Sequence, residues 1–121
     1  MRAFDLQIDQ RDDGVIAALS GEAHNGCIDS LKRGLAGILA ERRSPVVIDL
    51  SECHFIASMS IAELIDFRRQ LQAYGGRLHL AGANPQIENL FEKTHLSELF
   101  PMYRSADEAL SATRSPTDHT S

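Results

Sequence analysis

The stretch from Pro45 to Leu71, PVVIDLSECHFIASMSIAELIDFRRQL, constrains the fold more than any other part of the chain. Val46, Val47 and Ile48 form an unbroken β-branched run. Continuous rather than alternating apolar character predicts a strand buried on both faces, as in a parallel sheet covered by helices. Asp49 and Ser51 break the run and predict a short loop. From Ile61 the period changes. Ile61, Leu64, Ile65 and Leu71 fall near one helical face, and Glu63, Asp66, Arg68 and Arg69 fall mostly elsewhere. Between strand and helix stands Ala57-Ser58-Met59-Ser60. Ser58 or Ser60 is suited to cap the helix, which sets a small hydroxyl at a positive helix end. That junction is the predicted functional region.

The flanking segments fit the same architecture. Ala3 to Ile8 alternates apolar and polar residues, Asp12-Asp13-Gly14 is hairpin-turn chemistry, and Val15 to Leu19 reads as a second strand ended by Ser20-Gly21. Leu31, Leu35, Ile38 and Leu39 predict a helix over about residues 25–42, in which Gly34 and Gly37 each cost about 1 kcal/mol unless close packing needs them. Tyr74-Gly75-Gly76 stops the central helix. Arg77 to Ala81 is the next strand. Asn84-Pro85 starts a helix whose apolar face is Ile87, Leu90 and Phe91, and Leu96, Leu99 and Phe100 cover a core edge. Met102 to Arg104 is a short last strand, and Ser105 to Glu108 is a capping box opening a terminal helix through Leu110. The expected fold is α/β: a mixed, mostly parallel sheet of four to five strands with about four helices, one domain over residues 1–113. Residues 114–121 lack apolar side chains and are expected to form a disordered tail. In such sheets, binding sites gather at the carboxyl ends of the strands, where Ser51 to Ser60 lies.

Composition narrows the function classes. The 121 residues carry a formal net charge of −5, against the basic patches that nucleic-acid binding needs. No apolar run approaches the roughly 18 residues of a membrane span, and Asp5 and Asp9 interrupt the N-terminal segment where a signal peptide needs an apolar core. A cytoplasmic protein is expected, with Cys27 and Cys53 as reduced, partly buried thiols. His54 with Ser58 suggests a hydrolase pair, but no third orienting residue or nucleophile-elbow pattern accompanies them. His24, His79, His95 and His119 show no metal-ligand spacing and read as surface or satisfied core positions. No catalytic residue, metal or cofactor is expected.

Asp49-Leu50-Ser51, a three-residue spacer and then Phe55-Ile56-Ala57-Ser58-Met59-Ser60-Ile61 resemble the signature of STAS domains, the anti-sigma factor antagonist family. Its usual form is Asp-x-Ser, a spacer, an apolar pair and Asp-Ser-Ser/Thr-Gly-x. The order of elements agrees from about Phe4 to Leu110. The acid of the motif falls on Ala57, the serine phosphorylated in sporulation-type antagonists on Met59, and the glycine on Ser60. In the stressosome pattern the acceptor directly follows the acid, which is Ser58 here. The resemblance implies a non-enzymatic module that binds an anti-sigma factor/serine kinase-like protein, with Ser58, and secondarily Ser60, as phosphoacceptor candidates. The partner surface it implies comprises Ser51, Ala57, Ser58, Met59, Ser60, Ile61, Glu63 and Asn84. Helix capping is the alternative role for Ser58. Met59 is either an exposed contact or a plug beneath the loop, and capping and turning alone account for Asn84 and Gly82. The alternative function is a constitutive STAS scaffold or regulatory subunit of a transporter, lipid-transport or stressosome-like complex.

Overall fold

The computed structural model describes residues 4–114. Five strands form one sheet in the order β1-β2-β3-β4-β5: β1 (Asp5–Arg11), β2 (Gly14–Ala23), β3 (Val46–Ile56), β4 (Leu78–Ala81) and β5 (Met102–Tyr103). β1 and β2 pair antiparallel as a hairpin, and every other neighbouring pair is parallel. The helices are α1 (Ile28–Ala40), α2 (Ser58–Gln72), α3 (Pro85–Lys93) and α4 (Ala106–Arg114), with 3-10 turns at Asn25–Cys27 and Leu96–Glu98. The mixed, mainly parallel α/β architecture read from the sequence is the one observed. Residues 115–121, on which most of the expected tail falls, lie outside the described residues; Arg114 itself ends α4.

The unbroken Val46-Val47-Ile48 run has the predicted cause. Val46 and Ile48 face one side of the sheet, Val47 the other, and all three are fully buried. On the near face they meet Leu31, Leu35 and Ile38 of α1, Leu64, Phe67 and Leu71 of α2, and Ile87 and Phe91 of α3. On the far face Val47 joins Ile16, Ala81, and Ala109 and Leu110 of α4. Gly34 has the packing reason its helix position demanded, since a Cβ there would stand 2.1 Å from Leu6 Cδ2, whereas Gly37 has no neighbour within 4 Å. Asn84 caps α3 as its sequence predicted, accepting the Ile87 N–H at 2.8 Å, and Ser105 Oγ accepts from the Glu108 N–H at 3.2 Å.

Two boundaries differ from expectation. β2 does not end at Ser20-Gly21 but runs to Ala23, and β3 does not break at Asp49 or Ser51 but continues to Ile56. Both extensions come from the pairing of β2 with β3. That ladder persists to Ala23↔Ile56 by absorbing two irregularities, between Ala18 and Ser20 and between Gly21 and Glu22. Each bulge places an extra residue on β3, so polar residues enter without ending the strand. β4 leaves β3 earlier, at Asp49↔Ala81. The upper half of β3 is therefore paired on one side only.

Candidate functional site

The candidate site is the turn from β3 into α2. Ala57 is the helix N-cap, with extended backbone at φ −81°, ψ 158°, and no side chain caps the helix. This corrects the expectation that Ser58 or Ser60 caps it. Alanine holds the position because the turn is fixed from outside the helix: the Ala57 N–H donates to the Ala23 carbonyl at 2.8 Å, and Ser60 Oγ donates to the same oxygen at 3.0 Å. The end of β2 thus pins the first turn of α2 twice.

That arrangement separates the candidate serines. Ser60 is fully buried and bonded inward. Ser58, at the first helical position, is exposed, and its hydroxyl has no hydrogen-bond partner among the described residues. The uncapped first turn also leaves backbone N–H groups and the positive end of the helix dipole beside it. Met59 is 53% exposed, which decides between its two readings in favour of a surface side chain.

The remaining predicted positions divide. Ala57 is half-buried at the turn, and Ile61 is buried beneath it. Glu63 lies farther along α2 and approaches Lys32 of α1 at 3.7 Å. Ser51 and Asn84 sit on the β4 side. The Ser51 N–H donates to Asp49 Oδ1 at 3.0 Å, and Asn84 Nδ2 reaches the Cys53 carbonyl at 3.4 Å. Gly82 (φ +73°) packs so closely on Ser51 that a Cβ would stand 2.9 Å from its Cβ. Asn84 therefore ties the α3 cap to the bulged half of β3. His54 and Ser58 share no hydrogen bond. Cys27 and Cys53 are free thiols, and burial pushes the Cys53 thiol up from its ordinary value.

Sequence reasoning missed Phe55. It reads only as half of the motif's apolar pair with Ile56, and the two part company: Ile56 is 4% exposed and Phe55 49%. The bulge before Phe55 turns it opposite Glu22 and outward. Two consecutive large apolar residues in a strand necessarily face opposite sides, and that was the available signal. Phe55 at the end of β3 and Met59 beside Ser58 are the large apolar side chains this junction leaves exposed.

This frame is shared with proteins already described. Residues 5–109 match the model of the STAS domain. BtrV of Bordetella bronchiseptica, assigned as an anti-sigma factor antagonist, is 27% identical over 107 residues, covering 88% of this chain and 92% of that one. An anti-sigma factor antagonist from Mycobacterium paratuberculosis superposes with a TM-score of 0.84 at 24% identity, over 93% of this chain and 95% of the other. The phosphorylated form of SpoIIAA, a Bacillus cell fate determinant, superposes with a TM-score of 0.70 at 20% identity, over 92% and 99% of the two chains. With the family model spanning nearly every described residue and the bulged strand leading into α2 at its centre, this chain belongs to the STAS domain family.

Proposed function

We propose that the chain is a non-enzymatic binding module that engages an anti-sigma factor, itself a serine kinase, through the start of α2, and that Ser58 is its phosphoacceptor. The observation that carries this reading is the contrast within one helical turn: Ser58 is exposed with a free hydroxyl, while Ser60 is buried and hydrogen-bonded to Ala23. Ser60 therefore drops out as an acceptor for a kinase acting on the folded domain. The likeness to BtrV and to phosphorylated SpoIIAA supports the same class of switch.

The physics of the switch follows from the helix end. A phosphate brings about −1.5 to −2 charges and three acceptor oxygens. At an uncapped helix N-terminus that charge is stabilised, so the domain stays folded. The effect falls on the partner surface, where a hydrated dianion beside the exposed Met59 cannot be desolvated cheaply. The proposed setting is the cytoplasm; no helix among the described residues is long and apolar enough to cross a membrane.

A second reading is favoured by Met59 alone. An exposed thioether at the position where sporulation-type relatives carry their acceptor suits a constitutive contact. The module would then be a permanent subunit of a transporter, lipid-transport or stressosome-like complex. Mass analysis of the protein from its own host separates the two. Trypsin releases residues 44–68 as one peptide containing the whole junction. Phosphate on Ser58, and not on Ser51 or Ser60, is the expected result. Its absence under every growth condition sampled would replace the switch with the constitutive reading.

A further inference from the structure

Among the described residues, the near face of the sheet carries three helices, whereas the far face carries α4 alone, over Ile16, Val47 and Ala81. β2 and β3 continue well beyond that level. Register places Ala18, Ser20 and Glu22 of β2, and Asp49, Glu52 and Phe55 of β3, on the part of the far face that no helix among the described residues covers. β1 widens this bare strip with Gln7 and Asp9, opposite Ala18 and Ile16. Beside the start of α4 the surface sinks into an open groove of about 490 Å³, with Ile16 and Ala18 in its floor and Ala106 and Asp107 in one wall.

Charge and shape select an occupant. Asp5, Asp9, Glu22, Asp49, Glu52 and Asp107 surround this strip; Asp5 is held there by the 3.1 Å bond from Gln7 Nε2. Arg11 is the only cationic residue among the described residues lining the groove, and it already approaches Asp9 at 2.9 Å and Asp107 at 3.3 Å. No cation among the described residues pairs with Asp5, Glu22, Asp49 or Glu52. The charge is spread rather than focused, since no three acidic, His or Cys side chains among the described residues stand close enough to hold a metal ion. The surface therefore suits an extended polycation, not a point ion. The exposed Phe55 ring at the upper end and the half-buried Ala18 in the floor favour an occupant that also offers apolar side chains. The vacant strip lies alongside α4, and helices packed side by side sit about 8–10 Å apart, so a helix-sized element fills the missing place in the layer.

We propose that this uncovered far face, separate from the start of α2, is a docking surface for a Lys/Arg-rich amphipathic helix of a protein partner. The helix sets its apolar stripe on Ala18 and Phe55 and its cations against the acids on either side.

The test is an NMR amide titration of the full chain with a synthetic helical peptide of Leu and Lys about 16 residues long, beside its Leu/Glu counterpart. The Leu/Lys peptide is expected to shift the amides of Gln7, Ala18, Ser20, Asp49 and Phe55 and to saturate, with affinity falling steeply as salt is raised. The Leu/Glu peptide is expected to shift none of them. Gln7→Lys with Glu52→Lys, both at exposed positions, is expected to weaken binding on the order of tenfold, with the rest of the spectrum unmoved. Shifts spread equally over the acids of α3, or a double variant that binds as tightly, would reduce the surface to a diffuse polyanion and overturn the proposal. Concentration-dependent shifts of the same amides without peptide would make the occupant a second copy of the chain and overturn it equally. Neither readout involves Ser58, so the outcome is independent of whether that residue is phosphorylated.

Discussion

The lower and upper halves of β3 are continuous in sequence and opposite in physical character. From Val46 to Asp49 the strand is paired on both sides, with β2 in unshifted register and with β4. Its side chains at Val46, Val47, Ile48 and Leu50 are fully buried. From Ser51 to Ile56 it is paired with β2 alone, through two bulges, and four of its six residues are exposed. The lower half does the work of stability and the upper half the work of presentation. A bulge costs ladder hydrogen bonds but re-aims side chains, and here it turns Phe55 outward and delivers the chain to α2 at the angle that exposes Ser58.

Truncation tests the division most severely. Ile48→Ala removes a fully buried side chain from between α1 and α2 and is expected to cost about 2–5 kcal/mol. Phe55→Ala removes a larger side chain from the half-exposed upper end and is expected to cost less than about 1 kcal/mol. Denaturant titration of both variants checks this. Equal losses would mean that the upper half belongs to the folding core, and the comparison would fall.

A glycine next to the upper half sharpens the contrast. Gly82→Ala must place a Cβ within 3.0 Å of the Ser51 backbone nitrogen at a φ of +73°. A cost of about 1–3 kcal/mol is expected, together with amide shifts spreading from Ser51 toward Asn84 and Cys53. A loss confined to α3 would show that the bulged strand does not feel its neighbour.

These contrasts also explain what could be read in advance. Val46-Val47-Ile48 was legible because two-sided burial leaves an unbroken apolar record, and Asn84-Pro85 because a cap and a fixed φ leave a local one. Neither depends on distant residues. The reach of β3 to Ile56 was not legible, because what carries it past Asp49 and Ser51 is pairing with β2, some thirty residues away. The same holds for the cap of α2. Its place was visible in the small-residue run, but the carbonyl that fixes it belongs to Ala23, and no local pattern announces a partner at that distance. Ser58 could be ranked above Ser60 from the motif, but the reason Ser60 is inaccessible, its bond to the Ala23 carbonyl, is tertiary.

The lower half also carries a polar liability. His79 pairs with Val47 in register, is 7% exposed, and has no hydrogen-bond partner at either ring nitrogen among the described residues. It is therefore neither a surface nor a satisfied core position, the two readings its sequence left open. It meets the edge of the Tyr103 ring, with centroids 5.4 Å apart. Burial, with the Arg77 charge adding to it, lowers its pKa below the ordinary 6.5. The unfolded chain thus takes up a proton at a pH where the folded chain does not. Stability is held above about pH 6.5 and falls as pH drops from there through the lowered folded value. His79→Phe is expected to remove that dependence, and thermal unfolding across pH 7 to pH 5 measures it. An unchanged pH slope in the variant would assign the effect to the carboxylates instead.

The smallest expected effects fall inside one turn of α2, where the two characters of the strand meet. Ser60→Ala deletes the buried donor to Ala23 but leaves that carbonyl its bond from the Ala57 N–H. The acceptor is not orphaned, so the cost is that of one hydrogen bond, about 1 kcal/mol. Ser58→Ala deletes a hydroxyl with no partner and is expected to stay within about 0.5 kcal/mol of the parent. Ser58→Asp adds a carboxylate at a helix N-terminus and is expected to be neutral or slightly stabilising, while weakening an anti-sigma factor partner. The order of the two alanine variants is the decisive quantity. If Ser58→Ala cost more than Ser60→Ala, Ser58 would be a structural cap after all, and its hydroxyl would not be free for phosphate. The predicted order requires instead that the turn be held from beneath by Ser60 and Ala23, which is what leaves its outer surface free to change charge without unfolding.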